Sequence, residues 1–229
     1  MAKKKTKQPD NLQELESALT WTEQFIEDNQ TIISYVVGGI VLVVVAYLGF
    51  NKFYLEPKEK EAQSQMFVAE QYFEKDSFNL ALNGDGNYLG FLDIIDGYGI
   101  TKSSNLAKYY CGISYLHLGQ YEDAIDYLNE FKTDDLLLKP ITEGALGDAY
   151  LELGDQDKAL SQYKKAYTEN ENEFTSPIYM LKAAKLLENL DELEQALEIY
   201  KKIRTDFPES NEARNIEKYI ARVQVNLEK

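Results

Sequence analysis

Three patterns of apolar and polar positions follow one another along the chain. From Leu12 to Ile26, the residues Leu12, Leu15, Ala18, Leu19, Thr22, Phe25 and Ile26 fall at i, i+3, i+4, i+7 spacing and share one helical face. Glu16, Glu23 and Glu27 lie off that face, and Asp10 or Asn11 is placed to cap the helix. From Ile32 to Phe50, IISYVVGGIVLVVVAYLGF, nineteen consecutive residues carry no charge. At about 1.5 Å per residue such a helix matches a hydrocarbon core of roughly 30 Å. In lipid only a helix satisfies its backbone within one segment, so the Val-rich run reads as helix rather than strand. Beyond Pro57 the pattern turns helical and amphipathic to the end, so the fold class expected is all-α.

The last pattern repeats. Gly112, Gly147 and Ala184 align, with Tyr115, Tyr150 and Leu187 three positions later. Ala124, Ala159 and Ala196 follow at twelve positions, and Leu128, Tyr163 and Tyr200 at sixteen. The copies read GISYLHLGQYEDAIDYLNEF, GDAYLELGDQDKALSQYKKAY and AKLLENLDELEQALEIYKKI, in steps close to a helix-turn-helix unit of about 34 residues. Small residues let the paired helices cross closely, and Tyr and Leu fill the groove between them. Gly119 and Gly154 suit the turn after the first helix of their units. Asp191 stands there in the last copy, so that turn is expected to depart from the pattern. Ser176 and Pro177 are expected as N-cap and N1 of the last copy, and Pro208 closes it. The repeat resembles the tetratricopeptide repeat.

Upstream, Glu59 to Lys75 and Tyr88 to Asp96 form a degenerate copy in which Ala69, Tyr72 and Ala81 keep the spacing. NGDGNYLG inserts extra residues into its second helix. Asn83, Asp85 and Asn87 alternate as in a calcium loop, but Tyr88 replaces the required Gly and Ile94 the closing Glu, so the segment reads as a turn. At the other end, Asn211 to Leu227 places Ile216, Tyr219, Ile220 and Val223 on one face, as a capping helix does. The expected organisation is a tail and amphipathic helix (1–30), a membrane anchor (31–54) and a repeat domain (55–229). The domain comprises the degenerate unit (59–100), repeats at about 105–138, 140–173 and 177–210, and the cap (211–227).

Charge narrows the function. The chain has 39 acidic and 24 basic residues, net −15, and only four lysines and six acids precede Phe50. Such a domain repels phosphate backbones, and no nucleic-acid partner is expected. The span is too long, and begins too late, for a cleaved signal peptide. Lys3, Lys4 and Lys5 favour a cytoplasmic N-terminus, while Lys52, Lys58 and Lys60 argue the other way, so charge leaves orientation open. Trp21 and Phe25 on the amphipathic helix, and Gly38 and Gly39 in the span, are candidate contacts with lipid or another helix. Tyr35, Tyr47, Phe50, Phe53 and Tyr54 have the placement of an interfacial aromatic belt.

Parts for catalysis are missing. One histidine, His117, and one cysteine, Cys111, cannot make a zinc site or a Cys-His pair, and no glycine-rich phosphate loop occurs. Cys111 falls at a packing position, and Asp134-Asp135 reads as a solvated face. No enzyme activity and no cofactor are expected. The resemblance to tetratricopeptide repeats implies a concave groove lined by Tyr109, Ile113, Leu116 and His117, then Asp148, Leu151 and Glu152, then Leu181, Lys185, Glu188 and Asn189. Only Lys185 and Asn189 suit a clamp on an acidic C-terminus, and Asp148, Glu152 and Glu188 would repel one. The groove is expected to suit a protein segment of basic character, or else to serve only packing between units.

The junction FIEDNQTIISYVVGGIVLVVVAYLGFNKFY, followed by AQSQMFVAEQYF, is similar to a bacterial family of membrane-anchored tetratricopeptide proteins, the ancillary subunits of the Sec (SecYEG) translocon. The resemblance runs from about Leu19 onward. It implies an inner-membrane protein with a cytoplasmic N-terminus and a periplasmic repeat domain. Its partners would be translocon channel subunits, periplasmic chaperones and client polypeptides. The Lys-rich N-terminus and the NGDGNYLG insertion depart from that family. An envelope scaffold for wall or outer-membrane assembly, without translocon contact, is the competing class.

Overall fold

The computed structural model describes Trp21 and residues 23–228, all-helical among those residues. The expected tail, and the face formed by Leu12, Leu15, Ala18, Leu19 and Thr22, lie outside them. Two compact units divide the chain, Met1–Pro57 and Lys58–Lys229.

In the first unit, residues 23–28 are helical and Trp21 stacks on Phe25, ring centroids 5.7 Å apart. Asn29 leaves helical geometry (φ −113°, ψ 13°) and its side-chain amide donates to the Phe25 carbonyl at 2.9 Å. Helix α1 (Gln30–Phe50) follows, and none of its residues is buried by protein. It is long and apolar enough to cross a membrane. A π-helical turn, Asn51–Leu55, then leads into α2 (Glu56–Glu74).

The second unit is built of helix pairs. The degenerate copy has α2 as its first helix, while its second is broken into α3 (Phe78–Asn83) and α4 (Phe91–Tyr98). The NGDGNYLG insertion makes the break. Asp85 closes the loop by accepting the N–H groups of Asn87 and Tyr88 at 2.9 and 2.8 Å, and the Tyr72 hydroxyl at 2.9 Å. Its carboxylate is thus occupied by its own turn. Gly84 and Gly90 let the two ends of the loop touch: a Cβ on Gly90 would lie 2.2 Å from the Leu82 carbonyl oxygen. The three regular repeats follow as α5 (Lys102–His117) with α6 (Tyr121–Glu130), α7 (Leu138–Glu152) with α8 (Gln156–Thr168), and α9 (Ser176–Asn189) with α10 (Leu193–Asp206). A 3-10 turn at Ala213–Asn215 precedes the last helix, α11 (Ile216–Leu227).

All four units turn in the same way. After the first helix the chain enters the left-handed region at Asp76 (φ 55°), Gly119 (74°), Gly154 (79°) and Asp191 (63°). The next N–H reaches back five residues, from Ser77 to Tyr72, Gln120 to Tyr115, Asp155 to Tyr150 and Glu192 to Leu187, each at 2.9 Å. This is a Schellman turn repeated four times. The Asp191 turn therefore does not depart from the pattern: the backbone keeps the geometry and Asp bears the steric cost of φ > 0. A β-carbon in this region costs about 1–2 kcal/mol, partly offset by the greater unfolded-state freedom of glycine. Asp191→Gly should accordingly stabilise by about 0.5–1 kcal/mol, and Asp191→Val should destabilise, read as opposite shifts of the urea midpoint.

The N-terminus of α9 also differs from expectation. Ser176 is the first helical residue and Thr175 the N-cap, with no side-chain cap bond. Asn172 organises the approach instead, its Oδ1 accepting from the N–H groups of Phe174 and Thr175 at 2.9 and 2.8 Å. The Ser176 hydroxyl is turned back to accept the Asn172 N–H.

The small positions do what close crossing requires. A Cβ on Gly112 would come 2.5 Å from Leu128 and one on Gly147 2.6 Å from the Tyr163 ring, while Ala184 packs in one cluster with Ala196 and Tyr200. The unpredicted case is Gly144, whose Cβ would lie 1.9 Å from Tyr179 of the next repeat. Gly144 sets the approach between repeats, whereas Gly112 and Gly147 set it within them.

Candidate functional site

The groove positions fall on the first helices α5, α7 and α9, and the structure divides them by what they touch. Tyr109, Ile113 and Leu116 are half-buried against Leu128, Ala145 and Leu146, so they join the first regular repeat to the second. Their apolar surface is largely spent on the solenoid. His117 is exposed and stacks flat on Phe78 of the degenerate unit, ring centroids 4.5 Å apart at 2°. Leu151, Glu152, Lys185 and Asn189 are exposed, and Leu181 is half-buried. In the first unit Trp21 and Phe25 are exposed, and a Cβ on Gly38 or Gly39 would meet nothing within 4 Å.

The acidic groove residues are the main revision. Asp148 is held by Lys182, whose Nζ lies 2.7 and 2.6 Å from its two oxygens, and it accepts the Tyr163 hydroxyl at 2.7 Å. Glu188 takes a two-pronged bond from Arg222, Nε to Oε1 and Nη2 to Oε2, both 2.7 Å, and the Tyr200 hydroxyl at 3.0 Å. Each carboxylate is thus matched by a cation from the next helical layer, and its repulsion of an incoming carboxylate is largely cancelled. Glu152 keeps only a long contact with the Tyr121 hydroxyl, 3.4 Å. Two of the three acidic positions expected in the groove, Asp148 and Glu188, are thus held in internal ion pairs.

Both pairs span 34 residues, about one repeat length. A search for opposite charges one repeat apart would have found Lys182 and Arg222, which a reading unit by unit passes over. Cations also cover aromatic faces here. Lys182 Nζ lies 5.8 and 5.7 Å from the ring centroids of Tyr163 and Tyr179, and Lys185 Nζ is 5.4 Å from that of Tyr219. Arg222 lies over the same Tyr219 ring at 5.0 Å. Burial, reinforced by the carboxylates that accept their protons, pushes the hydroxyls of Tyr163 and Tyr200 well above the ordinary tyrosine value. These tyrosines stay neutral donors across the physiological range.

Cys111 is fully buried in the cluster of Met66, Ala69, Phe91 and Ile94. Burial raises its thiol far above the ordinary value, so the reactive thiolate is suppressed. The folded protein should leave Cys111 unlabelled by a thiol-reactive dye at mildly alkaline pH, and denaturant should release one equivalent per chain. Rapid labelling of the native protein would contradict the packing. No cluster of three or more His, Cys, Asp or Glu capable of holding a metal ion occurs among the described residues.

Two profiles described as Tetratricopeptide repeat match the chain, one at residues 106–135 and 179–210 and the other at 144–173. The three matched stretches coincide with the regular repeats. Two solved structures of a chain described as a Podosopora anserina kinesin light chain, with nearly identical TPR-like repeats, have the same architecture. One, a substituted form, gives a TM-score of 0.56 at 14% identity, and the other 0.54 at 13%. Each alignment covers 75% of this chain and 89% of the other. At that identity the likeness shows the fold alone. No curated protein matches. The chain therefore carries tetratricopeptide repeats in an all-helical solenoid, a fold that typically serves as a non-enzymatic scaffold for binding other proteins.

Proposed function

We propose that this protein is a membrane-tethered interaction module, an accessory subunit of the bacterial Sec translocon that helps handle secreted or membrane proteins beside the channel exit. One observation carries the reading: an apolar helix with no buried residue among those described is followed directly in the chain by a tetratricopeptide solenoid. Those side chains need an apolar surrounding, and a bilayer supplies it. In this reading the N-terminus is cytoplasmic and the repeat domain periplasmic, at the inner membrane. The tether raises the local concentration of weak binding sites near emerging chains and their chaperones, so modest affinity suffices.

The internal ion pairs refine the ligand. With Asp148 and Glu188 neutralised, the open groove positions are Leu151, Glu152, Lys185 and Asn189, a mixed surface for a polypeptide segment rather than a strongly acidic trap for a basic one. The test is mild-detergent purification of the tagged full-length protein from its native membrane, with mass spectrometry of what co-elutes. Channel subunits in near-stoichiometric yield would support the reading. Wall or outer-membrane assembly factors without the channel would replace it with the envelope-scaffold role.

A further inference from the structure

We propose that the edge of the solenoid carrying the junctions between units rests on the lipid surface, with Ile100, Leu136, Leu137 and Phe174 entering the interfacial layer. This rests on the reading of α1 as a membrane span. Large apolar side chains recur in the segments that lead from one unit to the next: Ile100 is 55% exposed, Leu136 67%, Leu137 45% and Phe174 75%. Around the turns at the opposite edge, near Asp76, Gly119, Gly154 and Asp191, the exposed large apolar side chains are Leu80 at 41%, Leu151 at 37% and Leu153 at 42%, each less exposed than Ile100, Leu136, Leu137 and Phe174. An apolar side chain at one junction would need no explanation. Three successive junctions bearing one on the same edge form a surface.

Polar contacts fix these junctions side by side. Glu59, in the first turn of α2, accepts the N–H groups of Lys102 and Ser103 at 2.6 and 3.2 Å. Asn105 exchanges hydrogen bonds with the backbone of Lys132 at 2.8 and 3.1 Å. Lys139 pairs with Glu169 at 3.0 Å. The edge therefore begins where the chain arrives at Lys58. Only seven residues separate Phe50, the end of α1, from Lys58, and even fully extended this connection reaches under about 30 Å.

Charge permits the contact. A net of −15 disfavours anionic headgroups, yet part of the acidic charge on this edge is engaged, while Asp134 and Glu173 remain exposed. Besides Glu169, Glu171 faces Lys202 at 4.0 Å, and Asp135 accepts the N–H groups of Leu137 and Leu138 at 2.9 and 2.8 Å. Lys132 and Lys165 lie beside them and add positive charge. An interface-seeking surface needs apolar side chains at headgroup depth and tempered repulsion, and the edge offers the first with part of the second.

The test uses full-length protein in vesicles of phosphatidylethanolamine and phosphatidylglycerol. An environment-sensitive dye is attached at Asp134→Cys or Glu173→Cys, which leave the apolar residues in place; Cys111 is buried and does not compete. Spin-labelled lipids should quench both dyes and spare one at Gln156→Cys on the opposite edge. Adding Phe174→Glu to the Glu173→Cys protein should abolish quenching there. A dye at Leu42→Cys reports on the span separately. Quenching at position 42 with none at 134 and 173 overturns the edge contact and leaves the span standing. No quenching at 42 overturns the membrane reading itself.

Discussion

Ending the chain after Ser210, which removes α11, should unfold the last repeat and drive the protein into aggregates. Helix α11 buries Ile216, Ile220 and Val223 almost completely against Tyr200, Ile203 and Phe207. At about 1.5–3 kcal/mol for each buried side chain, the loss is roughly 5–9 kcal/mol before the cost of ordering the helix. That is of the order of a whole domain's stability. The truncation also removes Arg222 and leaves Glu188, only 13% exposed at its side chain, without its cation. Helical repeats cannot bury both faces alone, so an uncapped end exposes an apolar layer. The expected readout is lost helical ellipticity, binding of a hydrophobic dye, and amide exchange spreading from α10 into α9. Unchanged exchange in α9 would show that α11 is not a cap. Ile220→Ala, at about 2–5 kcal/mol, gives a milder version of the same test.

The second large effect is expected at the opposite end of the solenoid. Phe91→Ala should destabilise by about 3–5 kcal/mol. Phe91 is fully buried, stacks on Tyr110 with centroids 4.8 Å apart at 5°, and meets Phe73 edge-on at 6.3 Å. It is the first residue of α4, the part of the split helix that follows the insertion. A large loss would show that the irregular unit closes the core of the first regular repeat, around Ala107 and Cys111. A fall in the chemical-denaturation midpoint, together with appearance of a reactive Cys111 thiol, would report the cavity at both ends. A loss below about 1 kcal/mol would mean that α4 packs loosely and the first regular repeat stands without it.

The sequence showed the repeat because its signal is local and periodic. Small residues at 112, 147 and 184 and their partners sixteen positions on mark the helix crossing, and glycine marks two of the four turns. The other two turns were hidden, since Asp76 and Asp191 occupy left-handed backbone without advertising it. The Schellman bonds to Tyr72 and Leu187 hold them there. The degenerate unit could be recognised by Ala69, Tyr72 and Ala81. Its second helix could not be divided at the right residues, because the division depends on Asp85 closing a loop onto Tyr72.

Periodicity assigned the groove residues to their helices but gave no account of what faces them. Helical spacing tells which side chains share a face; register between neighbouring helices tells which ones meet. That register put Lys182 on Asp148 and Arg222 on Glu188, and turned two apparent repulsive charges into internal pairs. It also spent Tyr109, Ile113 and Leu116 on contacts between repeats. The amino-acid sequence alone determined the uncharged nineteen-residue run, the all-helical class and the helix-turn-helix period, since these depend on neighbours a few positions away. The tertiary structure alone decided which carboxylates are neutralised, where the second helix of the first unit breaks and which edge exposes apolar side chains, since those depend on groups a full repeat apart brought together by packing.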